Sequence, residues 1–359
     1  MAFPASMSAP GPNTVYVPSF DDSANLIISY SRNEKDFMLN QYVQMVTVDK
    51  RVAVYLKFNP KDQARVPFAQ AQSSQGNFAY VPGQRRSLMD GQDTNTRIGW
   101  IPYSLNPFSL KGSIDYHTAE QAAYDVKSQI LNDLAFKCMI LRTRRVNGLM
   151  LDTTQYATNH TGTATVIGGG LWSMGTLNNP YIKQSVQSIR NQILLDTLGK
   201  VMPKDMYVLI NPNLAKAAAD SQEIHTYMAQ QANSDKMLDG SHFDMNENWG
   251  LPARLYGIKL IVEQTGYTSK LESTNVNNDT ITFVQNDTDA FFGARPGSIN
   301  GQNGGTSYCS VIMLSYKGEE MTPESYDKPE DKLLDFYVTD TSIPILPAPE
   351  SFYYLSSCQ

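Results

Sequence analysis

Charge is the scarcest ingredient of this sequence. Asp, Glu, Lys and Arg make up 18% of its 359 residues, where about 25% is usual for soluble domains. The surface must therefore rely on Asn, Gln, Ser, Thr and Tyr. These uncharged groups cost less to desolvate than ions do, which suits packing against neighbours. Basic residues are the rarer sign, 29 against 35 acidic, for a formal net charge of −6. That balance argues against a broad face that grips nucleic acid, which needs clustered Lys and Arg. Cysteine is nearly absent. Cys138, Cys309 and Cys358 are scattered, odd in number and without a C-x-x-C. Each is expected to act as a small apolar residue in a reducing cytoplasm. No stretch approaches the ~20 apolar residues of a membrane span, and the first residues lack the basic-then-apolar order of a signal peptide.

Catalytic and cofactor motifs are missing as well. Gly168-Gly169-Gly170 reads as a flexible turn, because no Gly-Lys-Ser/Thr follows and no G-x-G-x-x-G joins a strand to a helix. There is no G-x-S-x-G elbow, and no cysteine has a recognisable Cys–His setting. The four histidines, His117, His160, His225 and His242, are dispersed. His242 with Asp239 and Asp244 lacks a second histidine at ligand spacing and reads as a solvated loop. His225 beside Glu223 reads as a surface residue of a helix. No catalytic residue, cofactor or metal is assigned, and the chain is expected not to be an enzyme.

What is present is an ordered succession of segments. Residues 1–45 are rich in Pro, Ser and Asn, without a sustained period, and read as an arm needing a partner surface. Val46 to Phe58 alternates apolar and polar residues as one half-buried strand should. The pattern stops at Asn59 and resumes at Ile98-Gly99-Trp100-Ile101. The ~40 residues between are too long for a turn and too polar to bury themselves, so they read as a functional loop. Within it Lys61, Arg65, Arg85, Arg86 and Arg97 outnumber Asp62, Asp90 and Asp93, which suits an acidic neighbour. His117 to Asn147 carries the strongest helix signal, an apolar stripe of Ala119, Ala123, Val126, Ile130, Leu134, Cys138 and Leu141. Thr118 with Gln121 fits a capping box. Arg142, Arg144 and Arg145 fall in the expected last turn, where cations complement the helix dipole, and Gly148 would end it.

Residues 159–175 read as a Thr- and Gly-rich loop containing Trp172. A helix follows with Asn179 as cap, Pro180 at its first position, Ile182, Val186, Ile189 and Ile193 inside, and Gly199 closing it. Tyr207-Val208-Leu209-Ile210 reads as a buried strand stopped by Asn211-Pro212. Leu214–Ala219 and Ser221–Ala232 read as helices, and Leu255–Gln264 as the next strand. Ile281–Val284, Cys309–Tyr316, Leu333–Thr339 and Phe352–Leu355 add strands, with Lys317–Asp335 as a charge-rich loop.

Three local patterns, in this order, resemble the major capsid proteins of tailed phages, whose Hong Kong 97-type fold is shared by encapsulin shells. They are Trp172 followed by Asn178-Asn179-Pro180 and an amphipathic helix, Met206-Tyr-Val-Leu-Ile-Asn-Pro-Asn213 leading into Ala217, Glu223, Ile224 and Tyr227, and Leu255-Tyr-Gly-Ile-Lys-Leu-Ile-Val262. The resemblance covers nearly the whole chain. It implies an α+β fold with an N-terminal arm (1–45), an extended β-hairpin loop (46–112), a peripheral domain with a long spine helix (113–179), an α/β axial domain (180–300) and a return to the peripheral domain (301–359). It implies self-assembly through pentamers and hexamers into an icosahedral virion capsid, built in the host bacterial cytoplasm. Further implied partners are a separate scaffolding protein, a portal, a cement protein, and packaged double-stranded DNA held without sequence preference. Arg65, Arg85, Arg86 and Arg97 become candidate intersubunit contacts. Arg142, Arg144 and Arg145 are open to two readings, facing DNA or capping their helix. An encapsulin-like cargo compartment and a cytoplasmic α/β enzyme with no visible site stand as alternatives.

Overall fold

Residues 37–58, 98–117, 126–229, 245–246, 249–268, 280–296 and 309–359 are described by a computed structural model. Leu39–Tyr42 (α1) is one helical turn, and Val43–Val48 (β1) leaves it to pair in parallel with Val311–Tyr316 from the far end of the chain. Phe37, Leu39, Tyr42 and Val43 are buried. The last residues of the expected arm therefore have a core within their own subunit, because parallel pairing supplies the surface that composition alone did not reveal. The expected single strand 46–58 is two: after β1 the chain bends at Asp49–Arg51 and continues as Val52–Phe58 (β2). Ile98–Ser104 (β3) pairs with β2 in antiparallel register, Val52↔Ser104 to Phe58↔Ile98. The hairpin base thus forms as expected, while residues 59–97, with Arg65, Arg85, Arg86 and Arg97, lie outside the described residues. Pro107–Asp115 (β4) follows.

Val126–Leu151 (α2) is the long helix, about 39 Å at 1.5 Å per residue. Its expected capping box lies outside the described residues. Two expectations at its other end are corrected. Gly148 does not end it, and Arg142, Arg144 and Arg145 are not in its last turn. Glycine inside a helix costs about 1 kcal/mol relative to alanine, but Val146 and Met150 are buried in the core on either side of Gly148, and each fully buried side chain of this size contributes roughly 1.5–3 kcal/mol. The buried stripe is also rotated from the expected one. Leu131, Leu134, Ala135, Cys138, Met139 and Arg142 face inward, while Leu141 is half-buried.

Residues 159–175 are not only loop: Thr161–Thr163 (β5) and Ala164–Ile167 (α3) form there, the former paired with the chain's last strand. Tyr181–Asp196 (α4) buries Ile182, Val186, Ile189 and Ile193 as expected. Gly199, at φ 72, accepts the left-handed turn that closes the helix, its N–H donating to Leu194 O at 2.8 Å. Met206–Ile210 (β6) is buried at every residue. Asn211 then caps Pro212–Ala219 (α5), its Oδ1 accepting the Leu214 N–H at 2.8 Å. Gln222–Ala229 (α6) completes the helical pair, and Met245–Asn246 (β7) and Leu251–Pro252 (β8) make a small ribbon.

The expected strand 255–264 is folded back on itself. Arg254–Leu255 (β9) and Ile258–Val262 (β10) are antiparallel neighbours, joined at Tyr256 (φ 48) and Gly257 (φ 93). Two successive positive φ values are what a two-residue hairpin turn requires. Gly266–Thr268 (β11) and Ile281–Phe283 (β12) form another ribbon, and Ala290–Ala294 (β13) precedes Val311–Tyr316 (β14). Thr322–Lys328 (β15) replaces part of the expected charged loop. An edge strand can keep polar side chains because its ladder bonds come from the neighbour, here Leu333–Ile345 (β16). The latter runs past its expected end at Thr339, since its first half pairs with β4 and β15 and its last residues with β14. Tyr353–Ser356 (β17) ends the chain.

The strands assemble into a five-stranded sheet, β1-β14-β16-β15 with β4 also on β16, and a six-stranded sheet, β5-β17-β13-β6-β10-β9. Residues 301–359 thus divide between the two sheets. The six-stranded sheet is buried on both faces, which is why β6 reads as a continuous apolar run. Val208, Ile210, Leu260 and Phe292 meet α4 and α5 on one face; Tyr207, Leu209, Ile261 and Phe291 meet Tyr42, Val146 and Met150 on the other. The first half of α2 packs Leu131, Leu134 and Cys138 on Leu334, Phe336 and Val338 of the five-stranded sheet. One helix therefore serves both sheets.

Candidate assembly surfaces

The β2–β3 ribbon has two unlike faces. Alternation sends Tyr55 and Tyr103 toward Leu105, Ile312 and Leu314. It sends Val52, Val54, Pro102 and Ser104 outward, with Val52 69% and Val54 50% exposed. This outward face carries no charge, and an isolated two-stranded hairpin is marginal in water. The root is pinned. Arg51 pairs with Glu319, lies 5.0 Å over the Tyr316 ring, and its carbonyl accepts the Leu105 N–H at 2.8 Å. Glu319 also accepts from the Thr341 hydroxyl at 2.7 Å.

The three arginines that the sequence placed together are separated by the fold. Arg142 is buried and bidentate on Asp340, Nε to Oδ2 at 3.0 Å and Nη2 to Oδ1 at 2.5 Å, with Glu320 at 3.5 Å. Burial works to raise the Asp340 carboxyl, but hydrogen bonds and charge from Arg142, helped by Ser342 and Arg145, outweigh it and hold it below the usual value. Arg145 bonds the Ser342 carbonyl and hydroxyl. Arg144 is exposed and sits 4.1 Å over the Tyr267 ring of β11. Arg142 and Arg145 bind the helix to β16 and do not cap its end. Asp340 went unnoticed in the sequence, because Arg142 joins the buried stripe only through the rotation of the helix from the expected face.

Two further buried polar joints were also missed. Glu223 accepts the Ile182 and Lys183 N–H groups at 3.0 and 2.9 Å and the Tyr256 hydroxyl at 2.6 Å. It supplies the cap that Asn179 was expected to give; Pro180 stands at that position and has no side-chain donor or acceptor. His160, expected only as a dispersed residue, is fully buried between Phe352 O (2.8 Å) and Asp196 Oδ2 (2.6 Å), tying the approach to β17 onto α4. His225 is exposed, as expected, and His242, Asp239 and Asp244 lie outside the described residues. The cysteines are all buried, and burial pushes Cys138 up to about 12 and Cys309 to about 11. They behave as small apolar residues.

The acids of residues 317–335 are partly spoken for. Asp335 is buried between Lys111 and Lys328, each at 2.9 Å; Glu319 and Glu320 hold arginines. Val166, Met174, Leu177, Leu195 and Met202, on the helices and turns that flank the six-stranded sheet, are 48–79% exposed. No group of His, Cys, Asp and Glu among the described residues forms a metal cage, and no described helix is long and apolar enough to cross a membrane.

No protein-family model and no curated protein matches the chain. Solved structures do. A phage-related protein from Bordetella bronchiseptica RB50 superposes with a TM-score of 0.60 over 93% of this chain and 96% of that one, at 14% identity. The two share a fold. The mature capsid subunit of bacteriophage PhiM1 matches at a TM-score of 0.49, 9% identity, over 99% and 92% of the chains. A virus-like particle from Pyrococcus furiosus matches at 0.46, 9% identity, over 93% and 96%.

Proposed function

We propose that this chain is the major capsid protein of a tailed double-stranded DNA bacteriophage. It builds a shell by binding copies of itself, through pentamers and hexamers that close into an icosahedral particle, and it is not an enzyme. The observation that carries this reading is the fold held in common, from end to end, with a protein described as phage-related. A hairpin, a long helix on one sheet and an α/β unit on a second, in the order that the capsid resemblance implies, support it. The five-stranded sheet with α2 corresponds to the peripheral domain, and the six-stranded sheet with α4, α5 and α6 to the axial domain. Residues 46–112 are the extended loop, which contacts an adjacent subunit through its uncharged outer face at Val52, Val54 and Pro102 and through Arg65, Arg85, Arg86 and Arg97. A scaffolding protein, a portal and a cement protein are its further partners, packaged DNA is held without sequence preference, and the protein resides in the virion after assembly in the host cytoplasm.

Electron microscopy and light scattering of the purified protein test the reading. Closed particles of hundreds of subunits are expected, alone or with a co-expressed scaffolding protein. A small oligomer under both conditions rejects it in favour of an unrecognised α/β enzyme. Shells filled with a protein cargo instead of DNA would assign the chain to the encapsulin-like class.

A further inference from the structure

One face of the six-stranded sheet carries three cations that form no ion pair among the described residues. Lys259 of β10 and Arg254 of β9 stand directly opposite each other in the antiparallel register, an arrangement of like charges that destabilises a strand pair. Lys259 also pairs across to Tyr207, and Tyr207 to Gly293, two residues before Arg295. Alternation places Lys259, Tyr207, Gly293 and Arg295 on one face, since Ile258, Leu260, Met206 and Ala294 belong to the core on the other. The ladder continues past the end of β13, with Arg295 N–H donating to Asp205 O at 2.9 Å, so Arg295 is held in line.

The side-chain hydrogen bonds of Lys259 and Arg295 go to neutral acceptors. Lys259 Nζ donates to Gln41 Oε1 at 2.9 Å, and Arg295 Nη2 donates to Lys204 O at 3.0 Å. The Arg295 Nε–H is buried without a partner. Among the described residues no carboxylate forms an ion pair with Arg254, Lys259 or Arg295. Burial, then the charges of Arg295 and Arg254, lower the Lys259 ammonium below its ordinary value. Two guanidinium groups that both bear on one ammonium, in a chain of net charge −6, call for an anion. A single carboxylate would leave two of the three charges unmatched. A phosphate group offers several acceptor oxygens and close to two negative charges, which the two guanidinium forks and one ammonium can share.

We propose that Arg254, Lys259 and Arg295 form an oxyanion site for a phosphate group, either free inorganic phosphate or a backbone phosphate of nucleic acid. The site does not depend on shell assembly, because binding is scored per subunit. Equilibrium dialysis of the full chain against radiolabelled inorganic phosphate, at fixed ionic strength in chloride, measures it directly. Saturable binding is expected. It should weaken about tenfold or more in Arg254→Gln/Lys259→Gln, since each charge-assisted hydrogen bond contributes strongly, and remain unchanged in Lys317→Gln, an exposed position on the other sheet. Should the double variant fail to fold, Arg254→Gln alone, at an exposed side chain, carries the same comparison. A short DNA duplex added in competition separates the sources. Displacement of phosphate from the wild type, steeply dependent on salt, identifies the nucleic-acid backbone; undisturbed phosphate binding identifies the free ion. No saturable binding to the wild type, or equal binding to the variants, overturns the proposal.

Discussion

Replacing Asp340 with alanine should be among the most damaging single changes to this subunit. The Arg142 and Asp340 side chains are each 3% exposed, so the arginine left behind keeps its charge without water. Its remaining acidic contact is Glu320, a single 3.5 Å approach from a side chain 43% exposed. Removing one partner of such a pair costs about 3–5 kcal/mol, against less than about 1 kcal/mol for an exposed pair such as Lys317 with Asp49, 3.9 Å apart. Native stabilities of about 5–15 kcal/mol make the loss a large fraction of the whole. The double variant Arg142→Met/Asp340→Leu removes both charges and fills the space, so it should sit near the wild type. Urea unfolding of unassembled subunits reads these differences as shifts in midpoint at constant slope. The pH dependence has a defined sign. Asp340 is held below its unfolded value, so its contribution is present above the ordinary carboxyl pKa of about 3.9 and disappears as pH falls through the lower folded value. The wild type should therefore lose more stability on acidification than the double variant. An Asp340→Ala loss under about 1 kcal/mol would refute the placement of this pair in the helix–sheet interface.

Gly112 lies directly beneath α2, where an added Cβ would stand 2.8 Å from Ile130 Cγ2 and 3.4 Å from Leu134 Cδ1. Gly112→Ala should destabilise the subunit by roughly 1–3 kcal/mol through overpacking, and Gly112→Ala/Ile130→Val should recover part of that in the same urea assay. Glu223→Ala leaves two backbone N–H groups of α4 and the Tyr256 hydroxyl without their acceptor, for a loss of about 1–3 kcal/mol; thermal unfolding of the variant should show it, with Glu223→Gln intermediate. Replacing residues 65–90 with a short Gly-Ser linker should leave a folded, soluble subunit that does not close shells, and trypsin should cut at Arg85 or Arg86 far faster in free subunits than in particles. Normal shells from the shortened chain would show that this loop makes no needed contact.

Where a short stretch of chain holds both the signal and its partner, the fold was legible in advance. The α4 stripe, its closure at Gly199, the all-apolar β6 and its stop at Asn211-Pro212 each depend on neighbours within a few residues, and each stands where its pattern placed it. The base of the β2–β3 hairpin was readable for the same reason, as two strand-like runs flanking a polar insertion. Partner choice across long separations was not. Arg142 finds Asp340 198 residues away, and Glu223 caps a helix that begins some 40 residues before it. Nothing local distinguishes Arg142 from Arg144, yet one is buried in an ion pair and the other lies exposed over an aromatic ring. Helix rotation decided that, and rotation is set by which sheet the helix must cover. The same holds for Thr322–Lys328, whose charged composition reads as loop and which becomes a strand because β16 offers it a ladder. Periodicity and caps report forces that act within a turn or two, so the sequence alone determined the elements and their order. Burial, register and ion pairing draw on groups brought together from distant parts of the chain, and those only the tertiary structure decided.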